Sequence, residues 1–290
     1  MSDHLLPRRS VLYMPGANER ALEKAKTIPA DALILDLEDA VAPDAKEEAR
    51  ERVCAAAASG DYGAKEITIR VNGLDTRWHE ADLAAAAQVG PAAVVVPKVN
   101  SVDDVRAIEA GLEAGGAPDR TKIWAMVETP VAMLHAEAIA AASDRLTVLV
   151  MGTNDLAKEL HAEHVPGRQP LLTGLGLCLL AARATGKVIL DGVYNDVKDP
   201  DGFAAEARQG YELGFDGKTL IHPSQVEPAN DIWAPSPEAV DDARALIATF
   251  EDAVAAGKGV VTHNGRMIEN LHVDDARRIL AVADAIAARS

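Results

Sequence analysis

Aromatic residues make up only 3% of this 290-residue chain. That is too few for the stacking platforms on which single-stranded nucleic acids are held. Basic residues are also in the minority, 29 against 45 acidic ones, for a formal net charge of −16. A surface of that sign repels nucleic acid and anionic membranes, although it leaves room for a local anion site. There are two cysteines, Cys54 and Cys178, both in alanine-rich helical patterns without metal-ligand spacing. A disulfide scaffold is thereby excluded, and the pair reads as reduced core thiols of a cytoplasmic protein. No apolar run reaches the ~18–20 residues of a membrane helix. The N-terminal MSDHLLPRRS lacks the apolar centre of a signal peptide. No GxGxxG follows the first strand pattern, and GxxxxGK[ST] is absent, so the usual nucleotide signals of open sheets are missing.

What is present is a repeated alternation. Short apolar runs occur at residues 10–14, 32–37, 67–71, 93–97, 123–127, 146–151, 187–191 and 216–221. Most are β-branched and apolar throughout, the pattern of parallel strands covered on both faces. Between them lie amphipathic stretches such as DAKEEARERVCAAAA, SVDDVRAIEAGLEA and DPDGFAAEARQGYELG, each opening on an Asp or Ser able to cap a helix. Eight strands alternating with helices predict a (β/α)8 TIM barrel. A long helix, a hairpin turning at Asn264-Gly265 and a last helix follow the eighth strand. The expected division is a catalytic barrel over residues 1–257 and a C-terminal arm over 258–290. The arm is either a packed cap or an extension over an active site, its own or a neighbour's.

In such a barrel the active site lies at the C-terminal strand ends. Strand 2 ends in Asp36, Glu38 and Asp39, strand 3 in Arg70 and Asn72, and strand 4 in Lys98. Strand 5 ends in Glu128, strand 6 in Asn154 and Asp155, and strand 8 in Ile221 and His222. Carboxylates outnumber cations there. Like charges brought that close repel unless a cation joins them, and an all-oxygen cluster suits Mg²⁺ or Mn²⁺ rather than zinc. Each residue also has a structural reading. Asp155 and Glu128 could cap the helices that follow them, Asp36 could be a buried acceptor, and His222 a packed turn histidine. Lys98 reads as an ion-pair partner of the carboxylates. Behind the first strand, Arg20 and Lys24 are four apart and share a helix face. They suit the phosphates of a nucleotide, or an ordinary basic surface. Lys26 lies off that face and reads as a solvated charge.

Taken together, PGANERALEKA, DLEDAVAPDAKEEAR, RVNGLDT, VPKV, VETP, MGTNDLAKEL, DGVYND and IHPSQV resemble the citrate lyase β-subunit-like family. That family, within the HpcH/HpaI aldolase superfamily, includes malyl-CoA lyases, malyl-CoA thioesterases and citramalyl-CoA lyases. The motifs run in order from about residue 8 to residue 280. The resemblance implies a Mg²⁺-dependent barrel acting on acyl-CoA thioesters. It implies Glu128 and Asp155 as metal ligands, Arg70 as the cation on the thioester oxygen, and Glu38 and Asp39 as partners of metal-bound water. Tyr13, Asn18, Lys24, Ile221 and His222 fall where relatives contact substrate or CoA. Gly265-Arg-Met-Ile-Glu269 stands where relatives carry an acid/base Asp supplied by the adjacent subunit, so Glu269 takes that place. The resulting expectation is a carbon–carbon lyase on a short 3-hydroxyacyl-CoA such as malyl-CoA or citramalyl-CoA, releasing a small keto acid. The alternatives are a malyl-CoA thioesterase using the same site and a citrate lyase β-subunit-like component. A homotrimer or homohexamer is expected.

Overall fold

A computed structural model describes residues 6–257 and 260–289. All eight apolar runs are strands: β1 (Ser10–Pro15), β2 (Ala32–Asp36), β3 (Glu66–Arg70), β4 (Ala93–Val96), β5 (Lys122–Val127), β6 (Leu146–Met151), β7 (Val188–Asp191) and β8 (Gly217–Leu220). They pair in sequence order, all parallel, and β8 closes on β1 through Ser10↔Lys218, Val11↔Thr219 and Leu12↔Leu220. The fold is a (β/α)8 barrel, and closure leaves none of its strands with an unpaired edge.

The connecting helices are α1 (Glu19–Ala25), α2 (Lys46–Ala58), α3 (His79–Val89), α4 (Val102–Ala114), α5 (Pro130–Leu134), α6 (Ala136–Ala141), α7 (Thr153–Glu159), α8 (Leu172–Ala184), α9 (Pro200–Leu213) and α10 (Val226–Trp233). Their ends follow local chemistry. Ser101 caps α4 in a reciprocal box with Asp104. Asp199 caps α9 ahead of Pro200, and Gly214 ends it at φ 104°, a conformation glycine adopts without a Cβ penalty. The expected Asp44 cap does not form. Pro43–Ala45 is a 3₁₀ turn instead, and α2 starts at Lys46 without a side-chain cap.

Residues Arg8–Ile232 form one compact unit. A second takes in the described residues 6 and 7 and those from Trp233 onward, and holds α11 (Pro237–Ala255), the antiparallel hairpin of β9 (Val261–His263) and β10 (Arg266–Ile268), and α12 (Asn270–Ala287). The long helix α11 thus belongs with the C-terminal elements, whereas the expected boundary was at 257/258; residues 258 and 259 lie outside the described residues. The hairpin turns at Asn264 and Gly265, both at positive φ, as a two-residue primed turn requires. Ala253, Val261 and Ile268, with Leu246 and Phe250, make its small core. Among the described residues no helix is long and apolar enough to cross a membrane.

Candidate active site

The barrel interior is packed by Val11, Ala32, Ile34, Ala93, Val95, Trp124, Met126, Val148, Val150, Val188 and Leu190. Side chains alternate along a strand, so the residue two further on points the same way. Two past Ile34 is Asp36, two past Met126 is Glu128, and two past Val150 is Gly152. Arg70 sits in register with Asp36 across β2 and β3. The next layer toward the C-terminal strand ends is therefore polar. A cavity of about 350 Å³ opens there, lined among others by Tyr13, Asp36, Asp39, Arg70, Met126, Glu128, Asn154, Asp155 and Ile221.

Arg70 is the centre of the cation side. Its Nε donates to Asp36 Oδ1 at 2.7 Å and its Nη2 to Asp36 Oδ2 at 2.6 Å, a planar two-point pair. Nη1 lies 2.6 Å from Glu38 Oε2 and 3.8 Å from Asp39. The guanidinium stands 4.8 Å over the Tyr13 ring, a cation–π contact. Asp36 also accepts from the backbone N–H of Glu38 and Ala40, so the buried-acceptor reading of Asp36 is correct. Burial pushes Glu38 up to about 7; Arg70 opposes this, and Asp39 and Asp36 add to it.

The second cluster is carboxylate. Glu128 is buried, and Oε1 accepts the Lys98 backbone N–H at 2.8 Å. Burial pushes Glu128 up to about 7, with Asp155 and Glu38 adding to the shift. Neither Glu128 nor Asp155 is a cap. Thr129 caps α5 by accepting from Ala132, and Asp155 lies inside the first turn of α7 behind Gly152. Among the described residues no group of three or more His, Cys, Asp or Glu is set to hold a metal ion. Glu128 and Asp155 are two oxygen donors whose mutual repulsion a divalent cation would relieve. That donor set fits Mg²⁺, which is commonly held by one or two carboxylates with water and substrate completing its shell.

The remaining expected residues fall around this centre or away from it. Asn154 pairs reciprocally with Asn195, at 3.0 and 2.8 Å. His222 caps the turn at Pro223–Gln225 by accepting from Ser224 N, but it is exposed rather than packed. Asn18 caps α1 through Ala21, while Arg20 and Lys24 are exposed on that helix. None of these last four lines the cavity. Lys26 is not a free surface charge, because it pairs with Glu23 at 2.7 Å and Asp61 at 3.0 Å. Lys98 makes no close side-chain ion pair among the described residues, but its ammonium lies in the field of the carboxylates: burial pulls its pKa down, and Asp155, Glu128, Glu38 and Asp39 together push it above the ordinary lysine value. Its backbone N–H bonds Glu128 directly. Glu269 belongs to the second unit, where it stands at the N-cap position of α12 and its backbone N–H donates to His272 Nδ1 at 3.0 Å.

Two residues, Lys46 and Asp82, gave no sign of a site role in the sequence. Lys46 is buried and donates to Leu37 O, Glu38 O and Asn72 Oδ1, each at 2.7 Å. Asn72 in turn donates to Leu37 O at 3.0 Å and to Asp82 Oδ2 at 2.6 Å. Together they staple the loop that presents Glu38 and Asp39. A lysine opening an amphipathic helix gives no sign of this; only the RVN motif hints at Asn72. Lys46→Met leaves three acceptors in this staple without their donor. Stability should fall by about 2 kcal/mol, and kcat/KM by about tenfold or more as Glu38 and Arg70 lose alignment. Thermal unfolding together with steady-state kinetics checks both effects, and an unchanged kcat/KM removes the staple from function.

The chain belongs to the HpcH/HpaI aldolase/citrate lyase family, whose model matches residues 9–223. It is 51% identical over 288 residues to a (3S)-malyl-CoA thioesterase of Cereibacter sphaeroides, covering 99% of each chain. It is 38% identical to the citrate lyase subunit beta of Escherichia coli, covering 96% of this chain and 93% of that one. Among solved structures it is similar to the CitE protein of Mycobacterium tuberculosis in complex with magnesium, acetoacetate and coenzyme A. The TM-score is 0.78 and the identity 29%, over 95% of this chain and 97% of that one.

The thioesterase match overturns the expectation of a carbon–carbon lyase. A relative half identical from end to end is a hydrolase. The residues could not show this, because both reactions call on the same ingredients: carboxylates for a cation and an arginine for a thioester oxygen.

Proposed function

We propose that the chain is a Mg²⁺-dependent thioesterase that hydrolyses a short 3-hydroxyacyl-CoA of the (3S)-malyl-CoA type. The observation that carries this reading is the 51% identity to a (3S)-malyl-CoA thioesterase across 99% of both chains. The cavity supports it, with Arg70 on one side and Glu128 and Asp155 on the other. Glu128 and Asp155 would hold the ion. When bound, the ion supplies Lewis-acid polarisation and orients the hydroxyl and carboxylate of the acid end. Arg70 has two committed nitrogens on Asp36. Its third nitrogen, Nη1, lies 2.6 Å from Glu38 Oε2; the positive charge of the guanidinium opposes the charge that develops on the thioester oxygen as water adds and the thiolate leaves, so its stabilisation grows toward the transition state. Glu38 and Asp39 hold water on the same side, while Asn154 and Ile221 line the acyl space. Tyr13 stacks under the guanidinium and keeps it flat. Asn18, Arg20, Lys24 and His222 are the contacts proposed for the CoA portion.

The proton is handled in this reading by Glu269, supplied by a neighbouring copy in a homotrimer or homohexamer. The apolar side chains of the arm support assembly: Met267 is 59% and Leu271 62% exposed, surface that a neighbouring copy would cover. A cytoplasmic location is supported by the two free cysteines. The test is product analysis with (3S)-malyl-CoA and Mg²⁺. Free CoA thiol and malate should appear in equal amounts. Acetyl-CoA and glyoxylate as the products would overturn hydrolysis.

A further inference from the structure

We infer that Gly152, acting with the backbone N–H of Lys98, is a positioning element that fixes the Glu128 carboxylate in the cavity. Glycine at 152 is not required by the backbone. Its φ is −96°, on the side open to residues with side chains. It is required by space. A Cβ built there would lie 2.1 Å from Glu128 Oε2, 2.4 Å from Glu128 Cβ and 3.0 Å from Glu128 Cδ. Real Cβ atoms do not approach so closely, so the missing methyl is the seat of the Glu128 side chain.

The other carboxylate oxygen is gripped from the opposite strand end. Lys98 N donates to Glu128 Oε1 at 2.8 Å. To aim that N–H, Lys98 adopts φ 51°, a left-handed conformation that a non-glycine residue takes at a cost. A seat with no side chain on one side and a strained backbone donor on the other give Glu128 one position. Gly152 N donates to Val127 O at 3.2 Å, which ties the seat to the strand that carries Glu128. A merely structural glycine would not need the Lys98 strain, and a merely strained loop would not need the glycine. Both converge on one carboxylate of the cavity.

The inference extends the reading of Glu128 as a metal ligand, yet its first test needs no metal. The crystal structure of metal-free Gly152→Ala should show Glu128 displaced, with Oε1 out of hydrogen-bond reach of Lys98 N. Mn²⁺ titration followed by electron paramagnetic resonance should show at least a tenfold loss of affinity. The control is Gly111→Ala in α4, where a Cβ would meet Leu83 Cδ2 at 2.5 Å and neither residue lines the cavity; it should lower Tm and leave Mn²⁺ affinity intact. Should Gly152→Ala fail to fold, the double variant Glu128→Gly with Gly152→Ala decides, because removing the Glu128 side chain removes the collision. Folding of the double variant supports the seat, and failure of both variants overturns it. An undisplaced Glu128 in Gly152→Ala also overturns it. Full Mn²⁺ affinity in Glu128→Gln would instead remove the ligand assignment, with the crystallographic result still deciding the positioning.

Discussion

Arg70→Lys is expected to lower kcat by at least ~10²-fold, the scale for removing one preorganised donor from a developing oxyanion. The charge is kept, so any loss reports geometry. Arg70 bonds Asp36 through two nitrogens, reaches Glu38 through the third and stacks on Tyr13. A lysine ammonium is a point charge on a flexible stem without the planar fork. It would settle on Asp36 and lose the contacts to Glu38 and Tyr13 that place the cation. Steady-state kinetics at saturating substrate and Mg²⁺, with Tm measured in parallel, make the check. A near-wild-type kcat removes Arg70 from the reaction.

Glu128→Gln and Asp155→Asn should each abolish Mg²⁺-dependent turnover while the barrel stays folded. For Glu128 the metal-free protein should behave in the opposite sense. Burial raises Glu128 from 4.5 to about 7, helped by Asp155 and Glu38. The folded chain therefore binds this proton more tightly than the unfolded chain does. Its contribution to stability is fully present below the unfolded value and is lost as pH rises through about 7. At pH 8 the buried charge destabilises the fold, and glutamine has no charge to bury. Glu128→Gln should then be more stable than the parent at pH 8, by on the order of 1–2 kcal/mol, and should show no such gain at pH 5. Thermal unfolding in EDTA at both pH values tests this. Equal Tm at pH 8 would contradict the buried charge, and surviving Mg²⁺ dependence would contradict the ligand. A stabilising change that removes activity is the expected mark of a functional site.

The strands were legible because each is a short, uninterrupted apolar run, which in a parallel barrel is buried on both faces. Asn264-Gly265 was legible because few dipeptides accept two left-handed residues in succession. Asp36, Arg70 and Glu128 were legible as polar breaks at the ends of such runs. The Asp44 cap failed because Pro43 opens a 3₁₀ turn, so the helix begins later than the capping pattern suggests. Lys98 was legible as a charge beside the carboxylates, but its sequence neighbours do not reveal the left-handed backbone that makes its N–H a donor to Glu128.

By itself the sequence determined the barrel, the run of polar groups along its strand ends, and the acidic balance that leaves the basic residues few and local. Uninterrupted apolar runs and their count are one-dimensional properties, so they survive without coordinates. Only the tertiary structure decided how those groups meet. Strand register sets Arg70 against Asp36. Packing between strand ends leaves room at Gly152 for the Glu128 carboxylate. A buried Lys46 holds the loop that carries Glu38. These are contacts between residues distant in the chain, fixed by closure of the barrel, and no local pattern encodes them.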